Sequence, residues 1–282
     1  MKPGRASKTA EIVCMGRALA HLAGGAFQDP TALALLSEDG RERVERARAS
    51  VAPKGLRRRI ERAYLRPLSK VMVVRTLAID EAVRKAGAPQ LVVLGAGLDG
   101  RAWRMPELSD VTVFEVDHPD SQRDKRARSS ALRQTAREIR FVPVDFAQGS
   151  LDAALGEAGH DAQIPTTWIW EAVIMYLERR DIDATLEVVA RRSAPGSRLV
   201  VLYHAPAPLL GIFLGPFVRS LGEPLRSSFR PAAMKELLCA HGLDVVQDRA
   251  ISELGAAMSA ELRASTRTAR HLRVVTAERR RV

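Results

Sequence analysis

The 282-residue sequence predicts an α/β fold, a doubly wound and mostly parallel sheet of the Rossmann-like kind, with a helical N-terminal lid and a cap insertion. Two observations carry this. Short apolar runs alternate with helical stretches from Leu91-Val92-Val93-Leu94 onward, the pattern of parallel strands buried on both faces. The first run leads directly into Gly95-Ala96-Gly97-Leu98-Asp99-Gly100, a Gly-x-Gly-x-x-Gly turn where a strand gives way to a helix.

From Thr9 to Leu22, Ile12, Met15, Leu19 and Leu22 recur at three- and four-residue spacing, which makes one buried helical stripe. Asp29-Pro30 ends that region, a strongly charged segment runs from Arg41 to Arg59, and a helix over about Val71 to Lys85 stops at Gly87-Ala88-Pro89. No strand is expected before Gln90. Strands are then expected at Leu91–Leu94, Val111–Val116, Arg140–Val144, Thr167–Trp170 and Arg198–Tyr203, with helices near Ser121 to Glu138 and Asp181 to Arg192 between them. Ala205 to Pro231 is too apolar for a solvated linker and too irregular for one helix, and is expected to form the cap. A helix from Ala232 to His241, a strand over Leu243 to Gln247 and a last strand over His271 to Thr276 complete the chain. One domain is expected over 1–282, divided into a lid (1–89), a β-α core (90–204), the cap (205–231) and a C-terminal part of the core (232–282).

Composition narrows the partners. The formal net charge is +11, yet only seven of the 44 basic residues are Lys, a skew that GC-rich coding produces without a functional demand. Clusters such as Arg57-Arg58-Arg59 and Arg279-Arg280-Arg281 lack the interleaved aromatics that single-stranded nucleic acid stacks on, so nucleic acid is not the expected partner. Cys14 and Cys239 have no zinc-type spacing, and no metal site is expected. The sequence shows no signal-peptide run and no stretch of membrane-spanning length. A soluble cytoplasmic protein with a small-molecule partner is expected, its oligomeric state open.

The glycine turn alone fits any nucleotide fold. Asp117, at the end of the next strand, adds a carboxylate that can accept from both hydroxyls of a ribose. This leaves a nicotinamide-dependent oxidoreductase as a competing reading, alongside an RNA-associated protein. Two further acids at expected strand ends, Asp145 and Glu171, and some ninety helix-rich residues ahead of the first strand favour a cationic adenosine ligand.

Three blocks, Leu94-Gly95-Ala96-Gly97-Leu98-Asp99, Phe114-Glu115-Val116-Asp117-His118-Pro119 and Glu171-Ala172-Val173-Ile174-Met175-Tyr176-Leu177, resemble motifs of the leucine carboxyl methyltransferase family. Ser7 to Pro30 and Glu223 to Arg249 resemble its bacterial branch more loosely. The resemblance implies a class I fold, S-adenosyl-L-methionine as cofactor (S-adenosyl-L-homocysteine as product) and O-methylation of an acceptor. It implies that Gly95, Ala96 and Gly97 line the methionine part, Asp117 the ribose, and Asp145 with Phe146 the adenine, with Glu171 near the sulfonium. Arg75 resembles the arginine that pairs with the cofactor carboxylate, with Arg17 assisting, and Tyr176 the tyrosine near the acceptor. The sequence departs from the family turn at Gly100, where a hydroxyl residue is usual, so one side-chain contact is expected to be missing. His204, at the end of the Arg198–Tyr203 strand, is the candidate base should the acceptor be a hydroxyl. A carboxylate acceptor needs none. The expected acceptor is a carboxylate or hydroxyl of a small molecule of the polyketide-like, specialised-metabolite kind, with a protein C-terminal carboxylate as the alternative.

Overall fold

A computed structural model describes residues 8–25, 27–49, 55–145, 149–207 and 225–280. Most of the expected cap, with its Leu209 to Leu214 stretch, and Phe146 lie outside them. Helices α1 (Lys8–Leu22), α2 (Thr31–Leu35), α3 (Glu38–Arg48) and α4 (Leu56–Ala86) precede the sheet. Strands β1 (Gln90–Leu94), β2 (Thr112–Asp117), β3 (Glu138–Pro143), β4 (Thr166–Glu171) and β5 (Arg198–His204) alternate with α5 (Arg101–Arg104), α6 (Pro119–Ser129), α7 (Leu151–Glu157) and α8 (Arg179–Arg191). Helix α9 (Pro231–Ala240), β6 (Leu243–Ala250), α10 (Ile251–Met258), α11 (Ala260–Thr266) and β7 (Leu272–Arg279) follow.

The strands form one seven-stranded sheet in the order β3-β2-β1-β4-β5-β7-β6. Strands β1 to β5 are parallel, and β7 runs antiparallel to β5 and β6. Chain order reverses between β1 and β4, so the connections leaving these neighbours diverge to opposite faces and open a crevice at their carboxyl ends. Strand β1 is buried along its whole length, as a strand covered on both faces must be. One face carries Phe114, Trp168 and Trp170 against α7, α8 and α9. The other packs Val113, Ile169 and Val200 against α4, α5 and α10. A separate apolar cluster joins α1, α2, α3 and the first half of α4, and reaches the glycine turn through Leu98.

Four expectations are corrected in extent. The helix expected over 121–138 ends at Ser129, because Thr135 and Ala136 donate to Ala102 O and Arg137 to Leu108 O, pulling the chain across α5 before β3. The charged segment contains a true helix, α3, started by the Ser37 hydroxyl accepting from Gly40 N. Helix α4 begins fifteen residues earlier than its apolar stripe suggests, running through Pro67. Pro67 and Ala63, whose carbonyl loses its helical donor, are both exposed, so water can satisfy that oxygen. The late strands are longer than expected, and β6 carries a bulge between Val245 and Gln247. Among the described residues no helix is long and apolar enough to cross a membrane.

Gly100 has an ordinary backbone but no room for a side chain, because a Cβ there would overlap the Thr31 hydroxyl. Gly100→Ser is expected to cost about 1–3 kcal/mol, the range for overfilling a packed site. Urea unfolding measures it, and Thr31→Ala in the same chain should recover part of the loss. An unchanged midpoint for Gly100→Ser would show that α2 yields freely.

Candidate active site

The crevice at the carboxyl ends of β1, β2 and β4 holds a cavity of about 390 Å³, within the range of small-molecule sites. Its floor is the glycine turn, pinned to β2: Gly95 N and Ala96 N both donate to Val116 O, at 2.8 and 3.0 Å. Gly95 (φ 67°) and Gly97 (φ 48°) sit in the left-handed region, which a side chain disfavours. Space is short as well. A Cβ on Gly95 would overlap Val173, and one on Gly97 would come to 3.1 Å from Ala10 of the lid helix α1.

Asp117 closes the turn. One carboxylate oxygen accepts from Gly97 N and the other from His118 N at 2.7 Å. Burial raises its pKa, opposed by those two N–H groups. Each oxygen keeps a lone pair for a ligand.

Above the turn, four buried guanidinium groups face four carboxylates. Arg101 donates to Asp80 (2.7 Å), Asp99 and Glu171 (2.9 Å). Arg104 holds both oxygens of Asp80, at 2.7 and 3.0 Å. Arg17 of α1 reaches Asp29 at 2.9 Å and the carbonyl of Leu98, and Arg75 of α4 donates from Nε to Glu171. Burial alone would raise the Glu171 pKa, but Arg75 and Arg101 outweigh it and hold the carboxyl at about 2. Ala172, next in the chain, has φ 60°, a costly backbone for a residue with a Cβ.

Of the residues singled out by sequence, Arg17, Arg75, Gly95, Ala96, Gly97, Asp117, Asp145, Glu171 and Tyr176 all line this cavity. His204 does not. It ends β5, one strand beyond β4, with its ring 5.6 Å from that of His271 and its carbonyl accepting from Phe229 N. Burial, then His271 and Arg75, lower its pKa to about 4. Arg101, Asp99, Thr9, Asp181 and Arg226 line the cavity without having been singled out. The Arg101/Arg104 spacing, three apart behind the turn, was a usable signal, since such residues share a helix face. Arg226 offered none, lying in an irregular segment whose N–H is tied to Met175 O at 2.8 Å. Among the described residues no group of His, Cys, Asp and Glu is placed to hold a metal ion.

A family model for leucine carboxyl methyltransferases matches residues 10–190. The chain belongs to that family. It is 37% identical over 179 residues to a Mycolicibacterium gilvum protein named "Putative S-adenosyl-L-methionine-dependent methyltransferase", covering 62% of this chain and 52% of that one. It is 36% identical over 212 residues to a Mycobacteroides abscessus protein of the same name, covering 68% and 63%. The chain thus spans about half the length of some of the curated relatives it matches. Among solved structures it resembles a DUF574 family protein from Streptomyces avermitilis (TM-score 0.61, 15% identity, 98% and 99% of the two chains). It also resembles a protein from Thermobifida fusca described as "a putative methyltransferase" (TM-score 0.59, 13% identity, 99% and 97%). At such identities the likeness shows a shared α/β, Rossmann-like fold.

The network gives stability a defined acid limb. Glu171 titrates near 4.3 when unfolded and about 2 when folded, so its contribution is complete above about pH 5 and lost as pH falls toward 2. Asp29 and Asp99 are lowered too, Arg17 and Arg101 respectively outweighing the burial that opposes them. His204 and His160, held neutral to about 4, lose stability between about pH 6.5 and 4. Burial raises Glu115 to about 7, which acts oppositely over about pH 4.5 to 7. Urea midpoints should fall moderately from pH 7 to 4.5, where the two histidines lose more than Glu115 gains, and steeply below, with a shallower acid drop in Glu171→Gln. Equal slopes in the two proteins would contradict the assignment.

Proposed function

We propose that this chain is an S-adenosyl-L-methionine-dependent O-methyltransferase acting on a small molecule, with a carboxylate the favoured acceptor. The observation that carries the reading is the glycine turn joined to Asp117 by the Gly97 N–H, within a crevice at the β1/β4 reversal. The residues fit the cofactor. Gly95 and Gly97 leave no side chain between backbone and ligand, Asp117 offers acceptors to vicinal hydroxyls, Arg75 and Arg17 suit a carboxylate, and ionised Glu171 suits an ammonium or sulfonium. When bound, S-adenosyl-L-methionine supplies an electrophilic methyl group on a sulfonium. The chain's task is then to hold the acceptor in line and exclude water, and orientation of that kind is worth effective molarities on the order of 10⁵–10⁸ M.

A carboxylate is ionised near neutral pH and needs no base, which agrees with His204 standing outside the cavity. Arg226 and Tyr176 line the cavity. The ion pair of Arg226 with Glu178 (2.7 Å) is half exposed, hence weak, so an acceptor carboxylate can take its place. A polyketide-like or other specialised metabolite is the class of acceptor we favour over a protein C-terminus.

S-adenosyl-L-homocysteine should raise the melting temperature while NAD and NADP leave it unchanged, since a ligand of the native state stabilises it. Asp117→Ala should weaken that binding by at least about 1.5 kcal/mol. Stabilisation by NAD or NADP alone would replace the methyltransferase reading with the oxidoreductase one. His204→Ala separates the acceptors. Turnover within about threefold of the parent is expected for a carboxylate, whereas a fall of about 10²-fold would move the acceptor to a hydroxyl.

A further inference from the structure

Beneath the glycine turn lies an ion pair that the site as described does not use. Glu115 precedes Asp117 by two residues on β2, so the two carboxylates share a face of the strand. Lys125 of α6 places its ammonium 2.7 Å from Glu115 Oε2, and each side chain is only 1% exposed. The same ammonium stands 5.2 Å above the ring of Trp103, on the helix that follows the turn. It has no other polar partner among the described residues. Burying such a pair costs more than its attraction returns unless further partners offset it, so the pair calls for a role besides stability.

The surroundings supply one. The charged groups that feel Lys125 are Glu115 and Asp117 on β2 and Asp99 at the turn, with His118 acting on Asp117 and Arg101 on Asp99; α2 carries none. On β3, Glu138 and Arg140 pair with each other at 2.8 Å, and on α6 Asp124 pairs with Arg128 at 2.6 Å. Asp99 has Arg101, which it shares with Asp80 and Glu171. Among the described residues no guanidinium pairs with Asp117. Its support is two backbone N–H groups, His118 and the field of Lys125.

We propose that Lys125 is a positioning residue, a buried cation beneath the floor of the crevice that keeps Asp117 a carboxylate able to accept from the ligand's vicinal hydroxyls. The inference rests on the reading of Asp117 as the ribose-binding group. Burial pushes the Asp117 carboxyl toward its protonated form and Lys125 opposes this. Without the cation a higher pH is needed for the carboxylate to form, so binding weakens first on the acid side. Glu115 does not cancel the effect in acid: burial raises its pKa to about 7, so there it is neutral and leaves the lysine's field undiminished.

The test is calorimetric titration of S-adenosyl-L-homocysteine from pH 5 to 8.5 on the full chain. Lys125→Met should move the acid midpoint of binding upward by about one pH unit, making binding about tenfold weaker at the acid end and nearly equal at pH 8.5. Glu115→Gln breaks the same ion pair but keeps the cation, and should leave the midpoint in place or lower it. If Lys125→Met does not fold, the double variant Glu115→Gln/Lys125→Met removes both charges and should still show the raised midpoint. A pair that merely holds α6 to β2 would give equal, pH-independent losses for Lys125→Met and Glu115→Gln, and that result overturns the proposal. Asp117→Asn runs alongside. Binding that it leaves unchanged would overturn the ribose assignment itself, whereas weakened binding in Asp117→Asn with an unmoved midpoint in the lysine variants would overturn only the role of Lys125.

Discussion

Arg101 is almost fully buried and has three carboxylates around it, Asp80 from α4, Asp99 from the glycine turn and Glu171 from β4. No one of these elements could carry its charge into the interior alone, because an isolated buried ion costs several kcal/mol. The planar fork of an arginine can satisfy three acceptors on different elements at once, which a lysine ammonium does less well. The consequence is positional. The loop after β4, the turn after β1 and the long helix α4 are fixed relative to one another by a single side chain, and the crevice between them inherits that geometry. Arg104 and Arg17 extend the same logic outward through Asp80 and Asp29 to the lid helix.

The turn is held from below by a different kind of bond. Gly95 N, Ala96 N and Gly97 N all point at β2, two to a backbone carbonyl and one to Asp117. Asp117 is therefore both part of the turn's construction and part of its ligand-facing surface. A carboxylate so placed cannot rotate away to suit a different ligand without loosening the turn. This explains why the site has so little polar redundancy on the side of Asp117 and so much on the side of Arg75, Arg101 and Glu171.

Much of this was legible in the sequence, for physical reasons that also mark where legibility stopped. Strands buried on both faces leave continuous apolar runs, so β1, β2, β4 and β5 stood out, and the acids that end β2 and β4 could be placed at the sheet edge. Helix α3 hid because an almost wholly polar helix has only Val44 and Ala47 to mark its stripe. The early turns of α4 hid behind Pro67. The end of α6 is set by hydrogen bonds to Ala102 and Leu108, contacts from distant positions that no local pattern encodes. In the site, residues on the glycine turn and at strand ends are legible, while nothing local beyond its spacing from Arg104 sets Arg101 apart in an arginine-rich chain. His204 was placed correctly on its strand, but being at a strand's carboxyl end did not suffice: the cavity follows the β1/β4 reversal and β5 lies beyond it.

Gly100 shows how a departure from a family motif can be absorbed nearby. Taken alone, glycine where a hydroxyl residue is usual means a lost side-chain contact. The volume such a side chain would enter is filled instead by Thr31, whose hydroxyl donates to Asp29 and whose Cβ would stand 3.0 Å from a Cβ at position 100. Asp29 is the carboxylate that holds Arg17, so the hydroxyl serves the lid's ion pair from α2 rather than facing the crevice from the turn. The exchange couples positions 31 and 100 sterically: a side chain can return at one only if the other retreats. The glycine is then a packing requirement of α2 against the turn, and its effect reaches the crevice only through Asp29 and Arg17.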